Sequence, residues 1–117
     1  MPTMELTSTN EEFAAATADI IELKGLAKGQ YYDKWMDCYC TLGAFRILIF
    51  GTYATQHYHH TDLRVKRYLE LVDWFADKLR EPNPNDGRRT ETVVGMWNDD
   101  SSKHDVIVKL REVGRAV

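Results

Sequence analysis

Apolar positions in this chain cluster in blocks separated by polar spacers, and the densest block runs from Lys34 to Tyr53, KWMDCYCTLGAFRILIFGTY. Two periods compete within it. As a helix, Trp35, Cys38, Leu42, Phe45 and Ile49 recur at three- and four-residue steps. As strands, the block is rich in Cys, Tyr, Thr, Phe and Ile and poor in straight-chain helix formers. It also holds Gly43 and Gly51, each costing roughly 1 kcal/mol inside a helix. Composition therefore favours strands. A two-residue turn at Gly43-Ala44 would pair Leu42 with Phe45. Met36, Cys38, Cys40, Leu42, Phe45, Ile47 and Ile49 then share one apolar face, and Trp35, Asp37, Tyr39, Thr41, Arg46, Leu48 and Phe50 share a mixed one.

The flanking blocks read more simply. Met1 to Ser8 has no period and is expected to fray. Thr9 with Glu12 three residues on is a capping-box pattern, and Phe13, Ala16, Ile20 and Leu23 mark one face of a helix over about 10–24 that Gly25 stops. Thr61 or Asp62 caps a second helix over about 63–80, striped by Val65, Tyr68, Leu69, Val72, Phe75, Ala76 and Leu79. Pro82, Pro84 and Asn85-Asp86-Gly87 predict an exposed loop. The last third is β-branched at Val93, Val94, Val106 and Val108 and predicts a second hairpin. The rival is a helix capped by Ser101 or Ser102, with Val106, Leu110, Val113 and Val117 on one face. The expected fold is thus a single-domain α+β sandwich over 1–117, with antiparallel hairpins at about 34–53 and 90–113 and two helices. The alternative is an all-α four-helix bundle.

Composition narrows the class. At 117 residues the chain is long enough to bury a core without staples. A net charge of −3 argues against a general nucleic-acid or membrane-surface binder. Neither a membrane span nor a secretory leader is evident, so no membrane partner is expected. The two cysteines, Cys38 and Cys40, stand too near each other for easy disulfide geometry, which points to a reducing, intracellular setting.

Candidate chemistry is sparse. His57, His59 and His60 are metal-ligand types, and Cys38 and Cys40 are too, but the strand reading holds the thiols roughly 30 Å from the histidines at ~3.3 Å per residue. Ile20-Ile21-Glu22-Leu23-Lys24-Gly25 resembles the Glu-x-Lys strand of metal-dependent nucleases. That resemblance implies a carboxylate at Glu22 holding Mg²⁺ and Lys24 beside the attacking water or phosphate. The Asp such sites take from an earlier strand is missing, because the residues before Glu22 read mostly as helix. Arg64, Lys66 and Arg67 open the second helix and Arg88 and Arg89 follow the loop, a modest basic cluster suited to phosphates. No nucleophile elbow, phosphate-cradling loop or cofactor motif is present, and no cofactor is expected.

Apolar surface is the remaining candidate. Trp74 falls opposite the stripe of the second helix, with Leu71, Arg67 and Lys78 near it. Trp35, Tyr39 and Phe50 share the mixed face of the first hairpin. Aromatics flanked by Arg or Lys are the raw material of binding hot spots. The expectation is a protein-binding module without catalysis, acting as an adaptor, an inhibitor or a homo-oligomeric unit that binds another protein or itself. A nucleic-acid binder or metal-dependent nuclease is the alternative.

Overall fold

The computed structural model describes residues 3–79 and 89–115. Five helices carry it: α1 (Asn10–Lys24), α2 (Thr41–Phe50), α3 (Leu63–Lys78), α4 (Thr90–Asp100) and α5 (Lys103–Gly114). Two-residue strands β1 (Tyr32–Asp33) and β2 (Cys38–Tyr39) pair antiparallel between α1 and α2. The expected sandwich of hairpins is therefore wrong, and so is the four-helix count of its alternative. The proline-rich loop, Arg88 and Val117 lie outside the described residues.

The first hairpin fails because its second half is α2. Nine of the ten residues of α2 are buried and only Arg46 is not, so this helix is apolar all round. A helix enclosed on every side has no polar stripe to reveal its period, and burial outweighs the strand propensity of its residues. Gly43 lies in the first turn of α2, not in a chain reversal. Gly51 sits just past the end in the left-handed conformation, with φ 79°, which is what a helix stop uses. At the start, the Cys40 thiol accepts from the Gly43 amide at 3.3 Å.

The other helices wrap this centre. α1, α3 and α4 each pack on α2, and α5 lies along α1. Gly114 of α5 comes so near α1 that an added β-carbon would stand 3.2 Å from Ala15 N and Glu11 O. Phe45 of α2 meets Phe75 of α3 edge-on at 5.7 Å, and Phe75 meets Trp97 of α4 at 5.3 Å.

The second hairpin is also overturned: its span forms two helices that pack on different partners, α4 on α2 and α3, and α5 on α1. Ser102 caps α5, its hydroxyl accepting from Asp105 N at 3.1 Å. Of the β-branched residues that suggested strands, Val93, Val94 and Val106 face the core, while Val108 is exposed. Nor does the N-terminal segment fray where it is described, from residue 3 on. Met4 N donates to Leu48 O at 2.7 Å, satisfying a carbonyl in the last turn of α2, and Arg67 holds the Leu6 and Ser8 carbonyls. The capping box at Thr9 and Glu12 is present as expected, and Asp62 caps α3. Among the described residues no helix is long and apolar enough to cross a membrane.

Candidate functional site

Two features of the described surface stand out, and both involve the short chain between α1 and α2. The first is the β1–β2 turn, Lys34 to Asp37. Asp33 Oδ1 accepts from the backbone amides of Trp35 at 3.0 Å and Met36 at 3.2 Å. Asp37 takes a left-handed conformation, φ 49°. Its carboxylate accepts from Tyr32 Oη at 2.8 Å and from Lys24 Nζ at 2.9 Å. Tyr32 in turn packs on Tyr39 at 4.8 Å and stacks on Tyr53 at 5.3 Å. A well-braced turn thus presents two apolar side chains to solvent: Trp35 is 88% exposed and Met36 71%. Lys34 Nζ lies 5.6 Å from the Trp35 ring centre.

Ionisation reinforces the brace. The Lys24 ammonium, then the Tyr32 hydroxyl, hold the Asp37 carboxyl below its ordinary value. The same hydrogen bond to Asp37 pushes the Tyr32 phenol up to about 12.

The second feature is an open cleft of about 370 Å³ between residues 29–31, the start of α2 and one face of α4. Glu91, Gly95 and Asp99 face it at successive four-residue steps, so two carboxylates flank a glycine along that face. Tyr31, Leu42 and Met96 add an aromatic ring and apolar walls. Gly95 is not there for packing, since a β-carbon on it would meet only Leu42 Cδ1, at an ordinary 3.7 Å. One Asp99 oxygen accepts from Gly29 N at 2.9 Å and Asn98 Nδ2 at 3.2 Å. Glu91 is fully engaged at the other end. Its Oε1 accepts from Tyr31 Oη at 2.8 Å and Arg46 at 3.0 Å, and its Oε2 accepts from Tyr68 Oη at 3.1 Å.

Arg46, the only α2 residue that is not buried, centres this network. It donates to both tyrosine hydroxyls at 3.1 Å, and its guanidinium lies 3.8 Å from the Tyr31 ring centre. Burial opposes the Arg46 charge, but Tyr68, Tyr31 and Glu91 more than offset that and raise its pKa. Burial, followed by the Glu91 charge, pushes the Tyr68 phenol well up, and burial with the Glu91 hydrogen bond raises Tyr31. At the cleft floor, burial lifts the Cys40 thiol to about 11, so it is a protonated core group and not a nucleophile. Cys38 is likewise buried and raised.

The residues singled out from sequence fare unequally. Of the proposed interface set, Trp35 stands free, but Tyr39 is half-buried beneath Tyr32, and Leu71 and Phe50 are core residues at 0% and 8% exposure. Trp74 is half-buried, with Lys78 5.9 Å from its ring centre, and Arg67 is bound to the N-terminal segment. Of the basic set, Arg64 is paired with Asp62 at 2.8 Å, while Lys66 and Arg89 are exposed. His57, His59 and His60 are exposed on a turned segment, where His59 Nδ1 lies 2.7 Å from Thr61 Oγ1. Among the described residues no three His, Cys, Asp or Glu side chains converge to hold a metal ion. Glu22 and Lys24 lie on a helix, not a strand. Arg111 of α5 binds Glu22, and Lys24 is held by Asp37.

The Arg46 network and the cleft escaped the sequence. A lone charge amid an apolar run signals a partner that must compensate it, but nothing local marks that partner as Glu91, 45 residues away. No curated protein and no solved structure matches the chain. Residues 6–116 match the model of a family of unknown function, DUF6197, and the chain belongs to that family.

Proposed function

We propose that the chain is a non-catalytic protein-binding module whose contact surface is the Lys34–Met36 tip. One observation carries this reading: Trp35 and Met36 are the most exposed pair of adjacent large apolar residues described, on a turn whose backbone is already fixed by Asp33. Trp is the residue type most enriched at binding hot spots. A turn ordered before binding loses little conformational freedom on docking, so more of the burial of Trp35 appears as affinity.

Catalytic readings have less support. Both thiols are protonated and buried, and the Glu-x-Lys pair is engaged in helix-surface ion pairs. The nucleic-acid reading is weakened in the same way, since Arg64 and Arg67 are committed within the fold.

Comparison of proteins captured by the wild type and by Trp35→Ala/Met36→Ala, followed by calorimetric titration of each tip-dependent partner in pure form, tests the proposal. A partner that binds the wild type and loses at least tenfold in affinity for the variant is expected. Identical capture by both overturns the reading, and so does tip-dependent sedimentation with lipid vesicles in place of any protein.

A further inference from the structure

The cleft and the tip match in chemistry, apolar surface against apolar surface and a cation against a carboxylate. The tip offers an indole, a thioether and one cation, Lys34. The cleft offers a glycine floor, apolar walls at Leu42 and Met96, and a carboxylate at each end, Glu91 already paired with Arg46 and Asp99 at the rim. A helical glycine at Gly95 costs roughly 1 kcal/mol relative to alanine. No neighbour demands it, because the nearest atom to an added β-carbon is 3.7 Å away. Gly95 leaves that part of the cleft open.

We propose that the occupant is the tip of a second copy of this chain, a reading that rests on the tip being the contact surface. Trp35 enters over Gly95 between Leu42 and Met96, and Lys34 reaches the rim carboxylate of Asp99. Tyr31 lines the cleft and Lys34 opens the tip, three residues further on, so the two features lie within about 10 Å along the chain at ~3.3 Å per residue. That closeness lets two copies exchange tips about a two-fold axis, which closes the assembly at a dimer instead of a filament. Two tips of this size bury less than the roughly 1,600 Å² of a standard interface, so the dimer is transient, with dissociation in the micromolar range or weaker.

Sedimentation velocity of the full chain from about 1 µM to about 1 mM, spanning that range, tests the proposal. The wild type is expected to shift from monomer to dimer with rising concentration, and its tryptophan emission to move to the blue as Trp35 is covered. Trp35→Ala removes the tip and Gly95→Leu fills the cleft, so each alone weakens dimerisation at least tenfold while helical circular dichroism is retained. An equimolar mixture of the two variants partly recovers association, since the mixed dimer restores one of the two tip–cleft contacts and each variant alone has none. A monomer at every concentration, or a dimer indifferent to Gly95→Leu, overturns the inference. If the wild type stays monomeric while capture of another protein still depends on Trp35, only the choice of a second copy fails.

Discussion

Gly43 sits directly against the Tyr31 carbonyl: a β-carbon built on it would lie 1.9 Å from that oxygen and 2.8 Å from the carbonyl carbon. The same carbonyl accepts from Cys40 N at 3.2 Å, so it is tied to the start of α2 and cannot easily move aside. Gly43 and Gly95 therefore answer oppositely to one substitution. Gly43→Ala gains helix propensity but forces backbone apart, with an expected loss of about 3 kcal/mol. Gly95→Ala meets only ordinary contact and should gain about 0.5–1 kcal/mol. Urea unfolding of both variants checks the sign of each.

Asn98 is fully buried and joins three segments. Its Oδ1 accepts from Thr41 N at 2.9 Å and Thr41 Oγ1 at 2.7 Å, while Nδ2 donates to Ala27 O at 3.0 Å. Asn98→Ala strands these partners in the core, where an unsatisfied group costs about 1–3 kcal/mol. A total loss of about 3 kcal/mol is expected in urea unfolding. Asn98→Asp keeps the Thr41 contacts but sets a carboxylate oxygen against the Ala27 carbonyl, so it should fail to restore stability.

The Arg46–Glu91 pair is part-buried, with side chains 12% and 30% exposed. Glu91→Ala leaves the guanidinium without its anion and two tyrosine hydroxyls without their acceptor. Breaking a fully buried pair costs about 3–5 kcal/mol, and the partial exposure here brings the expected loss to about 2 kcal/mol. Arg46→Lys should not substitute, because an ammonium has no planar fork to serve Tyr31, Tyr68 and Glu91 together. Thermal unfolding of the two variants is the check.

The tip has a defined pH window. Tyr32 is raised in the folded chain, so its contribution is fully present below the ordinary phenol value of about 10 and is lost as pH rises through about 12. Asp37 is lowered, so its contribution is present above the ordinary value near 3.9 and is lost as pH falls through its folded value. Followed residue by residue by NMR, Tyr32 should titrate at about 12 and come down towards 10 in Asp37→Asn, while Tyr31 and Tyr68, which burial raises, stay late in both. A Tyr32 titration that stays at about 12 in Asp37→Asn would contradict the hydrogen bond as its cause.

What was legible in the sequence follows a physical rule. Where a helix keeps one wet face and a side-chain cap, as α1 does with Thr9 and Glu12 and α3 with Asp62, period and cap agree and the element is read correctly. α2 has no wet face, and its two glycines look like strand punctuation. One is a close approach to Tyr31 and the other a left-handed stop. In α4, Val93, Val94 and Gly95 argue locally for a strand, and only packing on α2 and α3 overrides them. The Ser102–Asp105 spacing in α5 was the usable signal for a helix there. Trp35 belongs to the interface set expected from sequence, but its place on a turn depends on where α2 begins. The cleft depends on Gly95 of α4 meeting the start of α2, a long-range fact that no local pattern carries.

Hydroxyl-radical footprinting of the chain in extract of its source cells, at a concentration below self-association, tests the central claim most directly because it reads coverage of the tip without a named partner. Relative to the purified chain, Trp35 and Met36 should be strongly protected while the equally oxidisable Met96 and Trp97 are unchanged. Protection elsewhere, with Trp35 and Met36 modified as fast as in the pure protein, would contradict the account.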